Sequence, residues 1–176
     1  ETLYGVDIAY YLRMNFTGFV EVIDALGGVS VYSDREFTVE NIRTYQQGYN
    51  QLTGIEALAF ARERMSFPEG DYQRAQNQME VIRAVVEKAS TPAVLGGFSS
   101  LLQAVEGNFE TNLPQDQVLA LASAMGGDWQ VETYTASGYS AYRETYSMPG
   151  QELYVILPDQ ASVEQAAALL EETMAA

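Results

Sequence analysis

The scarce positive charge of this sequence is concentrated in one short segment. The chain has 9 Lys and Arg residues against 24 Asp and Glu residues, yet Arg62, Arg64 and Arg74 span only thirteen positions around a Pro/Gly loop. An extended chain after residue 62 would place the first two guanidinium groups on the same side. The third would stand near the start of the next helix, where free N–H groups and the helix dipole favour an anion. Three convergent guanidinium groups suit a phosphate or a pyrophosphate.

The neighbouring residues allow a second interpretation of the same segment. The first two arginines could instead form surface ion pairs with the acids around them, Glu63, Glu69 and Asp71. Asp71 is also well placed to be the N-cap of the following helix. Gln78 lies four residues after the third arginine and therefore beside it on a helix, where it could equally be a solvated residue. Spacing alone leaves both interpretations open.

Composition limits the classes of protein that need to be considered. The 176-residue chain is 47% hydrophobic, which is enough for one domain with a substantial core. Its net charge of −15 argues against binding to nucleic acid or to an anionic membrane surface, because phosphate contacts need cations. It has neither Cys nor His, so thiolate chemistry and the commonest general base are excluded. Any metal would be a hard cation held by oxygen ligands.

The ends of the sequence and its apolar runs carry less information. No apolar run approaches the roughly 20 residues needed to span a bilayer. The first residues, E-T-L-Y, have no initiator Met and no signal-peptide pattern, so residue 1 is expected to be a processed, cloned or proteolysed start.

The first part of the sequence predicts a helix followed by a strand. Apolar spacing predicts the helix over residues 6–26, and Gly27 and Gly28 end it. The following strand includes Val29 and is expected to extend as far as Phe37. Because a helix, a glycine stop and a strand form an α/β element, α/β is the predicted fold class.

Two further helices are predicted on either side of the arginine segment. The first runs from about Gly54 to Arg62, and the capping-box spacing of Thr53 and Glu56 marks its start. The second begins after Asp71 and is predicted to turn one apolar stripe toward a core. That stripe has 3-4-3-4-3 spacing and consists of Tyr72, Ala75, Met79, Ile82, Val86 and Ala89.

The second half of the sequence predicts two helices and two strands before a terminal helix. Their ranges are 93–106 and 112–125 for the helices, 129–134 and 153–157 for the strands, and from 160 onward for the last helix. Residues 137–150 are rich in Tyr, Ser and Gly and are predicted to form a loop. Tyrosines of this region would either cover a sheet edge or form a carbohydrate platform. No repeat or linker is evident, so a single domain over residues 1–176 is predicted.

These features together resemble the LytR-CpsA-Psr family of bacterial cell-envelope proteins. The similar segments follow one another along more than sixty residues, and they are N-F-T-G-F at 15–19, V-I-D-A-L-G-G-V at 22–29, L-T-G at 52–54, A-L at 57–58, A-R-E-R at 61–64, Gly70-Asp71, Arg74 and Gln78. An ordered series of this length is more specific than any single motif. The later segment Thr111-Asn112-Leu113 is similar but less diagnostic.

The resemblance implies a phosphotransferase with pyrophosphatase chemistry. Members of the family move an anionic glycopolymer, such as wall teichoic acid or capsular polysaccharide, from a polyprenyl-pyrophosphate carrier to a peptidoglycan acceptor, with Mg²⁺ as cofactor. The resemblance implies pyrophosphate binding by Arg62, Arg64, Arg74 and Gln78. It also implies a catalytic role for Arg62, Arg64 and Asp71. Asp71 would orient an arginine, hold a metal-bound water or activate the acceptor hydroxyl. An apolar groove would take the polyprenyl tail.

The resemblance also implies an α-β-α arrangement in which helices flank a central mixed sheet. The core match covers about residues 10–126, and residues 127–176 would add C-terminal strands and a helix. Asn77 departs from the family pattern, which commonly has an arginine directly before the glutamine. The family's domain starts well upstream of Glu1, and that upstream part carries the aspartates that bind the metal.

The chain is therefore expected to be the C-terminal part of a catalytic domain that is incomplete on its N-terminal side. It would lack the metal ligands and be inactive unless the missing N-terminal portion accompanied it. The whole protein would be anchored by an N-terminal transmembrane helix at the extracytoplasmic face of a bacterial membrane, in a Gram-positive cell.

Two other function classes are compatible with the same residues. One is a noncatalytic envelope module that retains polyprenyl-phosphate or polyanion binding. The other is a transcriptional attenuator, an older label for the family, but the low basic content and the absence of a DNA-reading helix from the sequence pattern weigh against binding to nucleic acid.

Overall fold

The computed structural model describes residues 2–68, 70–91, 94, 107–114, 116–117, 120, 124 and 131–175. It divides into two compact units. The larger comprises Tyr10–Val131, and the smaller comprises Glu1–Ala9 together with Glu132–Ala176. All residues of the predicted arginine site belong to the larger unit, so the fold of that unit positions them.

The larger unit has the following strands and helices among its described residues. In chain order they are β1 (Leu12–Met14), α1 (Phe16–Ala25), β2 (Val29–Ser33), β3 (Phe37–Val39), β4 (Arg43–Tyr45), β5 (Gly48–Leu52), α2 (Gly54–Arg62), α3 (Asp71–Ala89) and β6 (Phe109–Thr111). The strands form antiparallel pairs, which are β1 with β6, β2 with β5, and β3 with β4.

The first helix is shorter than the sequence predicts, and the helix prediction is wrong for residues 6–14. Residues 6–11 have no regular structure, and β1 occupies the next three positions. Asn15 starts α1, because its Oδ1 accepts a hydrogen bond of 2.7 Å from the N–H of Gly18. The strand that replaces helix is held by a distant partner, since Arg13 lies opposite Glu110. Local apolar spacing cannot register such a pairing.

The glycine stop after α1 is confirmed. Gly27 and Gly28 have φ angles of 75° and 84°, in the left-handed region that favours glycine. A Cβ at Gly28 would lie 2.7 Å from the carbonyl oxygen of Leu52, so the close approach of β5 also requires glycine there. Val29 begins β2 as predicted, whereas Phe37 belongs to the separate strand β3.

The core of the larger unit is aromatic near the arginine segment. Phe37 stacks on Tyr45 with ring centroids 4.7 Å apart, and the rings of Phe60 and Phe67 lie 5.4 and 4.8 Å from that of Phe37. The hydroxyl of Tyr45 donates a 2.6 Å hydrogen bond to the carbonyl of Glu56, and burial raises the pKa of this tyrosine to about 12. The cluster ties β3 and β4 to α2 and to the segment that follows it.

The second helix and its capping box are confirmed. Glu56 Oε2 accepts hydrogen bonds from the backbone N–H of Thr53 at 2.8 Å and from its hydroxyl at 3.0 Å. Arg43 lies 3.2 Å from the other carboxylate oxygen. Burial alone would raise the pKa of Glu56, but these hydrogen bonds and the guanidinium charge outweigh burial and hold the pKa below its usual value.

The third helix differs from two predictions, which concern its N-cap residue and its buried face. It starts at Asp71, and Gly70 rather than Asp71 occupies the N-cap position. Its buried face is formed by Gln73, Asn77, Val81 and Ala84 instead of the predicted apolar stripe. Gln73 and Asn77 are each only 4% exposed, whereas Tyr72 and Ile82 from that stripe are 54% and 49% exposed. The physical reason is that the two buried amides hydrogen-bond to each other, which removes the cost of burying them.

The smaller unit consists of a long hairpin and a helix. The strands β7 (Gly138–Thr145) and β8 (Met148–Pro158) pair antiparallel, and α4 (Gln160–Ala175) follows. The predicted loop over 137–150 is therefore wrong for the residues in these strands. The strand predicted at 153–157 is longer than predicted, and its residues are exposed or half-buried. The terminal helix is confirmed. The hydroxyl of Tyr134 makes a hydrogen bond of 3.1 Å to the carbonyl of Ser162, so this tyrosine contributes to packing.

Several predictions concern residues outside the described ranges. The helix over 93–106 and most of the helix over 112–125 lie there, although residues 94, 116–117, 120 and 124 are helical. Of the strand predicted at 129–134, the described part, residues 131–134, has no regular structure. None of the described helices combines the length and the apolar character that crossing a bilayer requires.

The mixed α/β class is confirmed, with one difference in the sheets. The described strands form four separate two-stranded antiparallel sheets, and no central mixed sheet is formed within the described residues. The single-domain assignment over 1–176, with its core match at about 10–126, stays a prediction.

Candidate functional site

The segment between α2 and α3 is anchored at its centre by Phe67, which is buried against Phe37. The chain leaves α2 in an extended conformation at Glu63, whose Oε1 accepts a 2.8 Å hydrogen bond from the N–H of Ser66. The N–H of Phe67 donates to the carbonyl of Arg64 at 3.3 Å. These local contacts fix the backbone that carries the arginines of this segment.

Asp71 brings two of the predicted site residues together. Its Oδ1 lies 3.4 Å from Nη1 of Arg64 and 3.2 Å from Nη2 of Arg74. Of the ion pairs predicted as the alternative interpretation, Arg64–Asp71 is present, and the two guanidinium groups also converge as the phosphate interpretation requires. Arg64 and Asp71 are exposed and Arg74 is half-buried, so solvent screens both pairs and they contribute little to folding stability. With two guanidinium groups on one carboxylate, the cluster has a net charge of +1.

Arg62 is held by a different contact. Its guanidinium carbon lies 4.4 Å from the centroid of the Phe16 ring, within the range of a cation–π interaction. Arg62 is the last residue of α2, and Phe16 is the first residue of α1. The structure thus places Arg62 against an aromatic ring and does not give it a contact with Asp71.

An apolar cavity adjoins Arg62. Its volume is about 280 Å³, and its lining residues are Val39, Ile55, Leu58, Ala59, Arg62 and Glu63. The first four are apolar, and the last two bring charge to one part of the lining. A ligand with an apolar portion and an anionic portion matches this combination.

Gln78 and Asn77 have different environments on α3. Gln78 is exposed and lies one turn beyond Arg74, on the same face of the helix. Asn77 is buried, where its Nδ2 donates to the carbonyl of Phe60 at 3.2 Å and its Oδ1 accepts from Nε2 of Gln73 at 3.1 Å. Position 77 therefore joins α3 to α2 in this chain and does not add charge to the arginine cluster.

The amino-acid sequence of the chain matches a known protein family over most of its length. The family model described as the LytR_cpsA_psr family matches residues 1–168. The chain belongs to the LytR-CpsA-Psr family. The resemblance drawn from the ordered motifs is confirmed.

Individual relatives of this LytR-CpsA-Psr chain agree with the match. The chain is 40% identical over 118 residues to a polyisoprenyl-teichoic acid–peptidoglycan teichoic acid transferase TagU of Bacillus anthracis. This alignment covers 67% of this chain and 39% of the relative. The chain is 32% identical over 127 residues to the TagU of Bacillus subtilis, and this alignment covers 72% of this chain and 41% of the relative. The chain thus spans about two fifths of the length of the curated relatives it matches.

Solved structures of similar fold cover nearly the whole LytR-CpsA-Psr chain. The crystal structure of B. subtilis TagV has a TM-score of 0.79 and 26% identity, and covers 97% of this chain and 66% of the other. A structure of TagT bound to LI-WTA has a TM-score of 0.73 and 22% identity, and covers 99% of this chain and 64% of the other. The second comparison supports the fold alone.

The predicted metal requirement is not met by the described residues. No group of three or more carboxylates, histidines or cysteines in the described part of the chain is placed to hold a metal ion. The carboxylate of Asp71 already faces two guanidinium groups. The described residues therefore do not fit a Mg²⁺ site on their own.

Two contacts at this site were not identified from the sequence. Phe16 lies in the N-F-T-G-F segment used for the resemblance, but no local pattern indicates that its ring meets Arg62. Gln73 and Asn77 lie four residues apart, and this spacing of two amides was the available signal for a buried hydrogen-bonded pair.

Proposed function

We propose that this protein is part of a phosphotransferase that moves an anionic glycopolymer, such as wall teichoic acid or capsular polysaccharide, from a polyprenyl-pyrophosphate carrier to peptidoglycan. The observation that carries the proposal is the convergence of Arg64 and Arg74 on one exposed carboxylate in a strongly acidic chain. The name of the TagU relatives, which describes transfer of teichoic acid from a polyisoprenyl carrier to peptidoglycan, supports the same reaction.

The guanidinium groups of Arg64 and Arg74 would hold the pyrophosphate. The single charge of Asp71 neutralises only one of the two guanidinium groups, so an anion of higher charge gains by binding there. As the bridging P–O bond breaks, negative charge grows on the leaving phosphate, and fixed cations lower the energy of that state. Gln78, one turn along α3, would donate an amide hydrogen bond to a phosphate oxygen.

Asp71 would orient the two arginines. Its Oδ1 contacts both guanidinium groups, so it fixes the separation between their planes before the substrate arrives. Of the three roles that the resemblance implies for this carboxylate, this geometry supports the orienting role.

Arg62 would bind the same pyrophosphate from the side of the apolar cavity. The ring of Phe16 holds its guanidinium, and Ile55 and Leu58 supply apolar wall beside it. A polyprenyl pyrophosphate has an apolar chain attached to a charged head group, which matches this neighbourhood. We assign Phe16 as a positioning residue for Arg62.

The reaction would also require Mg²⁺, for which the described residues supply no set of ligands. The peptidoglycan acceptor and a location at the extracytoplasmic face of a bacterial membrane belong to the same proposal. Both rest on the family relationship and on the reaction in the relatives' name.

Turnover by the full-length natural protein tests the proposal. Cleavage of a polyprenyl-pyrophosphate-linked glycopolymer is measured in the presence of Mg²⁺ for the wild type and for Arg64→Ala and Arg74→Ala. Arg143→Ala is the matched control, because Arg143 lies on β7 in the other unit. Loss of cleavage in Arg64→Ala and Arg74→Ala, with normal cleavage in the Arg143→Ala control, supports the phosphotransferase. Tight binding without cleavage by the wild type would instead identify a noncatalytic binding module.

A further inference from the structure

A second cavity lies on the larger unit, at residues that the arginine cluster does not use. Its volume is about 390 Å³, within the range of small-molecule sites, and its lining combines residues of β2 and β5 with residues of α3. None of Arg62, Arg64, Asp71 or Arg74 contributes to this lining.

One wall of this cavity is a pair of tyrosines. Tyr32 of β2 and Tyr49 of β5 lie directly opposite each other across the strand pair. Their rings meet edge to face, with centroids 5.3 Å apart and an interplanar angle of 71°. Tyr49 is 76% exposed, so a face of its ring remains open to a ligand. Ser30 adds a hydroxyl on the same side of β2.

The other wall is a stripe of charged residues on α3. Glu80, Arg83 and Glu87 recur at three- and four-residue spacing and therefore share one helix face. Arg83 Nη1 lies 3.0 Å from Glu80 Oε1, so these two side chains neutralise each other. Glu87 is exposed, and its carboxylate makes no hydrogen bond or ion pair within the described residues. The lining therefore has a net charge of −1, supplied by Glu87.

We propose that this cavity binds an organic ammonium group, with the cation between the ring of Tyr49 and the carboxylate of Glu87. Aromatic ring faces attract cations through their quadrupole, and quaternary or alkyl ammonium groups are the ligands that such faces recognise. The carboxylate of Glu87 adds attraction for a cation and repels an anion. The ammonium could belong to a lysine side chain or to an amino sugar, which share this chemistry. The inference is independent of the proposed transferase reaction.

The test is a titration of the ¹⁵N-labelled protein followed by NMR. The probes are tetramethylammonium, Nα-acetyl-lysine amide and glucosamine, and N-acetylglucosamine is the uncharged control. The expected result is a saturable shift of resonances from Tyr32, Tyr49 and residues 80–87 with the three cations. The uncharged control is expected to bind at least about tenfold more weakly. The lysine and glucosamine arms rank the two sources of the ammonium.

Two variants assign the interaction to the cavity. Glu87→Gln and Tyr49→Leu are each expected to weaken cation binding about two- to fivefold, as the range for exposed cation–π and ion-pair contacts indicates. Glu171→Gln on α4 and Tyr139→Leu on β7 are matched controls outside the larger unit and are expected to change nothing. Equal binding of N-acetylglucosamine, absence of a saturable shift with every cation, or insensitivity to both cavity variants would overturn the proposal.

Discussion

The buried amide of Asn77 provides the sharpest test of how the site is held in place. Its Nδ2 donates to the carbonyl of Phe60 at 3.2 Å, and its Oδ1 accepts from Gln73 at 3.1 Å. Phe60 lies in the last turn of α2, which ends at Arg62, so the helix itself supplies no N–H for that carbonyl. Asn77 thus satisfies a helix end with a side chain from α3.

Replacement of Asn77 by alanine would leave two buried polar groups without partners. Each such group costs about 1–3 kcal/mol. We expect a loss of about 2–3 kcal/mol in the free energy of unfolding, since alanine leaves space that water can enter beside one of the groups. A loss of this size is a large fraction of the roughly 5–15 kcal/mol that stabilises a typical domain.

Urea denaturation followed by circular dichroism measures the change. Gln76→Ala is the matched control, because Gln76 is an exposed amide on the same helix and should change stability by less than about 0.5 kcal/mol. Gln73→Ala and the double variant complete a cycle, in which the two losses should be less than additive. If Asn77→Ala is no more destabilising than the Gln76 control, the account of the α2–α3 junction is wrong.

Three further results are expected. Asp71→Asn removes two ion pairs of roughly 0.5 kcal/mol each that compete with a bound anion, so calorimetry should show pyrophosphate binding about fivefold more tightly. Turnover should fall, because Asp71 no longer orients the two arginines. Unchanged affinity would contradict convergence of the guanidinium groups on the ligand. Folding lowers the pKa of Glu56, so the ionised carboxylate stabilises the protein above its usual pKa, and this stabilisation is lost as the pH falls through the folded value. The Glu56→Gln variant should therefore be less stable than the wild type at neutral pH. A stability difference that persists at low pH would refute this. Gly28→Ala should destabilise more than Gly27→Ala in thermal melts, because both need positive φ but only the Cβ at 28 meets the carbonyl of Leu52, and equal losses would count against that contact.

Features encoded by local chemistry were predictable from the sequence. The capping box of Thr53 and Glu56 needs only residues three apart, and the glycine stop after α1 needs only the conformational freedom of glycine. The clustering of arginines around one loop was likewise visible in the sequence, and Arg64 and Arg74 meet at Asp71, the first residue of α3.

Features encoded by distant partners were not predictable in the same way. Hydrophobic periodicity assigned Tyr72 and Ile82 to the core of α3, because it cannot detect that two amides satisfy each other when buried. The β1 strand depends on residues about a hundred positions later, and the contact of Phe16 with Arg62 joins the start of one helix to the end of another. The β7–β8 hairpin is largely exposed, so it lacks the alternation of buried and exposed residues that identifies a strand from sequence.

A direct affinity measurement tests whether the arginine cluster of Arg64 and Arg74 binds a pyrophosphate. Farnesyl pyrophosphate is titrated into the protein by calorimetry, with farnesol as the uncharged control, for the wild type, for the Arg64→Ala/Arg74→Ala double variant and for Arg143→Ala. Each charged hydrogen-bond partner contributes about 1.5 kcal/mol or more, so the double variant should bind about a hundredfold more weakly, while the Arg143 variant should bind like the wild type. Equal affinities in the wild type and the double variant would contradict the account.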